Sequence, residues 1–176
     1  MSIQFDDKKF FDYAQKKKIA GLQLVGAFVD GEIAKNIKKQ GLIDTGNMVN
    51  SRTFKVYEGK SFVRCSVNTV YAAIQELGGM IKPDKAGALT VPIHPDAKKL
   101  VRNGGSARDM KDLEMIKRKN GPPLLVRKKE KGKNQRFDIM FVLLKSVQIP
   151  ARPYMRPAVY ENKDMILKIF AKAKAA

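Results

Sequence analysis

The sequence predicts an α+β domain: a long N-terminal helix, a mainly antiparallel β-sheet with a protruding basic hairpin, and a C-terminal helix. Three observations predict it. Apolar residues recur at spacings of three and four through residues 6–40, the period of one helix face. From residue 52 to 149, short alternating or apolar runs are separated by Gly, Pro and Asn, which is the texture of strands and turns. After a proline-rich crossing, helical spacing returns near the C-terminus. Helix, several antiparallel strands and helix sum to the α+β class.

The first element is anchored by the stripe Leu22, Val25, Val29, Ile33 and Ile37. Asp6 and Asp7 suit the positive end of its dipole, Lys38 and Lys39 the negative end, and Gly41 can cap it. At about 1.5 Å per residue it spans roughly 50 Å. Gly21, Gly26 and Gly31 weaken its middle and permit a bend or close packing. A helix longer than its own small domain often reaches a neighbour. Asp44-Thr45-Gly46-Asn47 is a turn signal. Arg52–Glu58 and Phe62–Val67 alternate around Gly59-Lys60-Ser61 and read as a β-hairpin. Asn68–Leu77 reads as a short helix closed by Gly78-Gly79.

Residues 88–93 read as a further short strand. Residues 95–112 are expected to be irregular and exposed, with a flexible break at Asn103-Gly104-Gly105-Ser106. Glu114–Lys119 and Leu124–Lys129 flank Asn120-Gly121-Pro122-Pro123 and predict two strands and a turn, since paired prolines forbid a continuous helix. Arg136–Ile149 is the strongest strand; its centre is apolar on both faces, which places it mid-sheet and covered on both sides. Pro150, Pro153 and Pro157 then stiffen an extended crossing. A final helix is expected over 157–172, with Ile166, Ile169 and Phe170 facing inward.

Length and composition bound the rest. A chain of 176 residues suits a single domain over 1–176, with 1–41 as helix and 95–134 as an exposed basic segment within it. Such a domain can bury roughly 70% of its unfolded surface. One cysteine, Cys65, excludes an intramolecular disulfide, and its apolar surroundings read as a small core residue rather than a nucleophile. The longest apolar stretch, Ile139–Leu144, falls far short of the roughly 20 residues that span a bilayer. The first residues lack the basic start and apolar core of a signal peptide. We therefore expect assembly in a reducing cytoplasm and no membrane partner.

Chemistry-bearing clusters are sparse. One histidine, His94, and one cysteine cannot build a zinc site. Asp109, Asp112 and Glu114 are the closest acids and lie among lysines. No phosphate-binding loop and no Ser–His–acid arrangement stands out. We expect no catalysis, no metal and no cofactor.

Charge is the informative feature. Thirty-five Lys and Arg face seventeen Asp and Glu, a net of +18. Such an excess points to a polyanionic partner, or to a surface solvated by counterions. Between Lys98 and Arg136 there are fourteen basic and four acidic residues, so over half of the excess lies in under a quarter of the chain. The strand reading sets Lys117, Arg118 and Lys119 against Arg127, Lys128 and Lys129, with Lys131 and Lys133 in the next turn. Like charges across a hairpin repel unless a polyanion or acidic neighbour covers them. These eight residues are candidates for contact with a DNA backbone or an acidic partner. The alternative is an edge hairpin kept soluble by lysines. No aromatics interleave the run, against single-strand stacking.

Four segments carry a resemblance: Asp44–Ser51, Tyr71–Gly79, Phe141–Val147 and Ile149–Pro157. Their residues, order and spacing resemble the phage virion-morphogenesis and tail-completion (neck) proteins. Ser106–Asp109 followed by Leu124–Lys128 is similar to the Mu-like branch. The resemblance covers roughly residues 40–158. It implies a non-catalytic virion protein at the head–tail joint or tail end. It also implies a ring, most often of six copies, touching neighbouring neck, tail-terminator or head–tail connector proteins; the basic hairpin would then project toward genomic DNA in the lumen or toward an acidic neighbour. Arg152 and Arg156 bracket Tyr154, and these types are common at interfaces. We expect this segment to touch a neighbouring subunit, or else to serve only as a rigid connector. The rival readings are a nucleic-acid-binding module, which explains the charge but not these segments, and an assembly nuclease, which the poor stock of His and clustered acids disfavours.

Overall fold

The computed structural model describes residues 6–84, 86–128 and 137–174. In chain order the elements are α1 (Asp7–Lys39), α2 (Asn47–Asn50), β1 (Arg52–Tyr57), β2 (Phe62–Val67), α3 (Ala72–Leu77), β3 (Gly79–Ile81), β4 (Leu89–Pro92), α4 (Pro95–Arg102), β5 (Leu113–Ile116), β6 (Leu124–Lys128), β7 (Phe137–Leu144), β8 (Val147–Ile149), α5 (Met155–Tyr160) and α6 (Lys163–Lys172). The class is α+β, with a long first helix, antiparallel sheets and a C-terminal helix. Where the sequence suggests one domain, the contacts fall into two compact units: residues up to Gly78 together with those from Pro150, and Gly79–Ile149.

The first unit is built on α1. Its ends form as the sequence predicts. The Asp6 carboxylate accepts from the Lys9 N–H at 3.1 Å. At the other end Gly41 takes φ +65°, its N–H reaches the Lys38 carbonyl at 3.0 Å, and the Leu42 N–H reaches Ile37 at 3.1 Å. This is a Schellman closure, which a left-handed glycine makes without strain. Val25, Val29, Ile33 and Ile37 form the buried stripe, and they pack with Met48, Tyr154 and Ala158. Leu22 is half-buried. The three helix glycines differ in use. A Cβ on Gly26 would lie 2.5 Å from the Phe54 ring, and one on Gly21 would lie 2.7 Å from Phe170; Gly31 faces open space. Two of the three therefore let the hairpin and α6 close onto α1, and each weakens the helix by about 1 kcal/mol relative to alanine.

The β1–β2 hairpin is antiparallel, with Phe54 opposite Cys65 and Val56 opposite Val63. Tyr57 and Phe62 stack at its end, ring centroids 4.7 Å apart. The expected single C-terminal helix is instead two. At the break, the Asn162 side-chain amide donates to the Ala158 carbonyl at 3.1 Å. A short amide side chain that takes a helix carbonyl competes with the backbone ladder and ends the turn there. Helix α5 starts two residues before Pro157, which sits in the first turn, where a missing N–H leaves no intrahelical bond unmade. Tyr71 is exposed.

The second unit holds a two-stranded pair, β3–β8, and a four-stranded antiparallel sheet ordered β4-β7-β6-β5. The apolar run 139–144 does supply an interior strand, β7, paired on both sides. Its cover is uneven: Met140 and Phe141 are fully buried, whereas Ile139 is exposed. The stretch beginning at residue 95 is not irregular throughout. Helix α4 packs Ala97 against Met140 and Phe141. His94 caps it by accepting the Asp96 N–H on Nδ1 at 3.2 Å, and Pro95 takes the first helical position. Gly104 takes φ +83°, and the Gly104 and Gly105 N–H groups close the far end on Val101 and Leu100, each at 3.0 Å. His-Pro-Asp and Asn-Gly-Gly, which read as loop, are here the two caps of a helix.

Candidate interaction surfaces

The hairpin β5–β6 forms, but its first strand is Leu113–Ile116 rather than the expected Glu114–Lys119. Ile116 pairs with Leu124 and Leu113 with Arg127. Strand β5 ends at Ile116, so Lys117, Arg118 and Lys119 fall at the turn end, and Arg127 and Lys128 at the opposite end. The facing of like charges across the hairpin is therefore corrected. Arg127 Nε lies 2.7 Å from Asp112 and its Nη1 3.8 Å from Asp96; Lys128 lies 2.7 Å from Glu114. Arg118 donates from Nε to the Pro122 carbonyl at 3.0 Å, clasping the turn. Lys117 and Lys119 are exposed and form no ion pair among the described residues. Lys129, Lys131 and Lys133 lie outside the described residues.

The acids that sequence proximity groups together are already engaged. Asp112 and Glu114 hold those basic side chains, while Asp109 accepts from the Ser106 N–H at 2.6 Å. Among the described residues, no group of three or more His, Cys, Asp or Glu is placed to hold a metal ion. No helix among them is long and apolar enough to cross a membrane.

The 152–156 crossing in the first unit is organised by a residue the sequence did not single out. Glu76, at the end of α3, is buried. One of its carboxylate oxygens accepts from the N–H groups of Tyr154 at 2.7 Å and Met155 at 2.9 Å, the other from Arg156 at 3.0 Å. These are the unpaired donors at the start of α5, and the next residue, Pro157, has no N–H to satisfy. The carboxylate thus caps α5 from a different element and meets the positive end of its dipole. The signal for it was indirect. Tyr154-Met155-Arg156-Pro157 opens a helix without its own Ser, Thr, Asp or Asn cap, so an acceptor had to come from elsewhere.

Tyr154 corrects a second expectation. It is 1% exposed, so its side chain offers nothing to another subunit. Its hydroxyl donates to the Ala72 carbonyl at 3.0 Å, and its own carbonyl accepts from the Asn36 amide at 3.0 Å. Burial, helped by the Glu76 charge, pushes its phenol up to about 12. Arg152 and Arg156 remain exposed and open to contact.

Two further surfaces lie in the first unit. Residues 7–17 of α1 are exposed, including Phe10 (52%), Phe11 (65%) and Tyr13 (55%). Phe10 and Phe11 meet edge to face, centroids 5.9 Å apart. An apolar cavity of about 270 Å³ lies between α1, β2, α5 and α6, lined by Val25, Val29, Val63, Cys65, Met155 and Val159 among others. Burial and the nearby Asp30 charge push the Cys65 thiol up, which disfavours the nucleophilic thiolate and fits a packing role.

Comparison with models of known protein families, with curated proteins and with solved structures finds no match. The functional reading therefore rests on the residues and surfaces described above.

Proposed function

We propose that this chain is a non-enzymatic structural protein of a tailed-phage particle, a neck or tail-completion component that joins tail to head by assembling as a ring, six copies by the family resemblance. It would be built in the host cytoplasm and would end in the virion. The observation that carries the reading is the first third of α1. Phe10, Phe11 and Tyr13 are each more than half exposed on a helix that continues past its own core. Contiguous exposed aromatics of this kind mark surfaces that other proteins cover. The resemblance supports the same reading, and two of its segments meet, since Glu76 from one caps the crossing in the other. A ring multiplies the +18 charge by its copy number, which favours acidic neighbours or DNA as company.

Electron microscopy of a lysate from a phage lacking this gene tests the proposal. The expected result is filled heads beside detached or malformed tails. Normal infectious particles would refute it, and an absence of heads would move the protein into capsid assembly. A second reading, a module that binds nucleic-acid backbone, is favoured by Lys117 and Lys119 at the tip of the hairpin, which are exposed and form no ion pair among the described residues.

A further inference from the structure

The sequence holds two Asn-Gly pairs, Asn103-Gly104 and Asn120-Gly121. In such a pair the glycine amide nitrogen can attack the asparagine side-chain carbonyl, because no Cβ on the glycine blocks the approach. All four residues are exposed, so access to water does not separate the pairs. Hydrogen bonding does. Asn103 closes α4: its N–H reaches the Leu100 carbonyl at 3.1 Å, and the Gly104 N–H donates to Val101 at 3.0 Å. The nitrogen that would attack is engaged there, and the Gly105 N–H ties the same turn to Leu100 at 3.0 Å. Among the described residues, the Gly121 N–H donates to no acceptor.

A cation lies against the second pair. Arg118 donates from Nε to the Pro122 carbonyl at 3.0 Å, which folds its side chain back over the turn. A Cβ on Gly121 would sit 3.2 Å from the guanidinium carbon and from one of its terminal nitrogens. A positive charge this close favours loss of the proton from the Gly121 nitrogen. It also favours the negative charge that grows on the attacked carbonyl oxygen.

We propose that Asn120-Gly121 is a self-modification site, at which the folded chain and water convert the Asn120 amide to a carboxylate. The Gly121 nitrogen gives up its proton and bonds to Asn120 Cγ. The Cγ–Nδ2 bond breaks, and the amide nitrogen leaves as ammonia. Water then opens the cyclic imide. Attack at Cγ leaves aspartate; attack at the main-chain carbonyl carbon leaves isoaspartate, with the chain running through the side chain. Either product sets a carboxylate among Lys117, Arg118 and Lys119 and lowers the +18 net charge by one. The site stands independently of the ring reading.

The experiment is peptide mapping by mass spectrometry of the full chain, held at physiological pH and temperature in buffer and, in parallel, in concentrated urea. In buffer, Asn120 is expected to convert at least about 5-fold faster than Asn103, the factor imposed by one hydrogen bond that must break before attack. In urea the two pairs, each preceded by a basic residue, should convert at similar rates. Arg118→Gln is expected to slow Asn120 about 3-fold in buffer, and Arg118→Lys, which keeps the charge, should restore the rate. Equal conversion of Asn103 and Asn120 in buffer, or an Asn120 that converts only in urea, overturns the site. An Arg118→Gln chain that converts as fast as wild type overturns the part given to Arg118.

Discussion

The crossing at 152–156 and the hairpin at 113–128 both set charged residues beside prolines, and they use them in opposite ways. In the crossing, the one carboxylate is buried and all its capacity goes to backbone N–H groups within the chain. In the hairpin, the cations sit at the rim, two pair with exposed acids, and Lys117 and Lys119 are left to the solvent. A buried acceptor with three donors specifies structure, because removing it strands groups that water cannot reach. An exposed cation specifies little structure and remains available to a partner. The difference separates residues that build this fold from residues that can act outward.

The largest expected effect breaks the crossing. Glu76→Ala leaves the N–H groups of Tyr154, Met155 and Arg156 without their acceptor at the start of a helix. The expected loss is about 3–5 kcal/mol, the range for removing one side of a buried charged network. Glu76→Gln keeps one acceptor oxygen and should lose less. Urea denaturation at neutral pH measures both. A loss below about 1 kcal/mol for the alanine variant would mean that the α5 start is hydrated, and the contrast with the hairpin would collapse.

A smaller effect, with its own signature in pH, comes from Tyr154. Its phenol titrates near 10 when unfolded and at about 12 in the folded chain. Between those values the unfolded chain loses the proton first, so it binds fewer protons than the folded one. Stability from this group is therefore fully present below pH 10 and is lost as pH rises toward 12, at up to about 1.4 kcal/mol per pH unit. Tyr154→Phe removes the hydroxyl bond to Ala72, worth about 1 kcal/mol near neutrality. It should also flatten that alkaline slope. Thermal midpoints of both proteins between pH 8 and about 11 check it; equal slopes would refute the enclosed phenol.

Much of the fold was legible because it depends on local pattern. The period of α1, its Asp6 and Gly41 caps, the β1–β2 hairpin and the interior position of β7 all follow from residues near each other in sequence. Helix α4 was missed because its caps, His94-Pro95-Asp96 and Asn103-Gly104-Gly105, use the same residue types as loops. The end of β5 was missed because it depends on which residues pair: Ile116 meets Leu124, which leaves Lys117–Lys119 beyond the strand. Least legible was the pairing of Glu76 with the crossing, across 78 residues of chain. Nothing local marks a glutamate as buried when its partners are backbone groups far away. For the same reason Tyr154, flanked by Arg and Pro, read as a surface residue although it lies in the core.

The smallest expected effect on stability belongs to the hairpin, and it decides what the lysines are for. Lys117→Ala with Lys119→Ala should change stability by less than about 0.5 kcal/mol, since neither side chain is buried or paired among the described residues. Lys128→Ala, which opens an exposed pair with Glu114, should cost no more than about 1 kcal/mol. Binding to duplex DNA across a range of salt is the discriminating measurement. If the turn meets phosphates, losing both lysines lowers the salt-dependence exponent by about 0.9 for each contact. If binding and exponent stay unchanged while solubility falls, Lys117 and Lys119 guard the edge of a sheet against other strands. In either case the stability change stays small, because exposed charge acts on what approaches the protein and hardly on how the protein holds itself together.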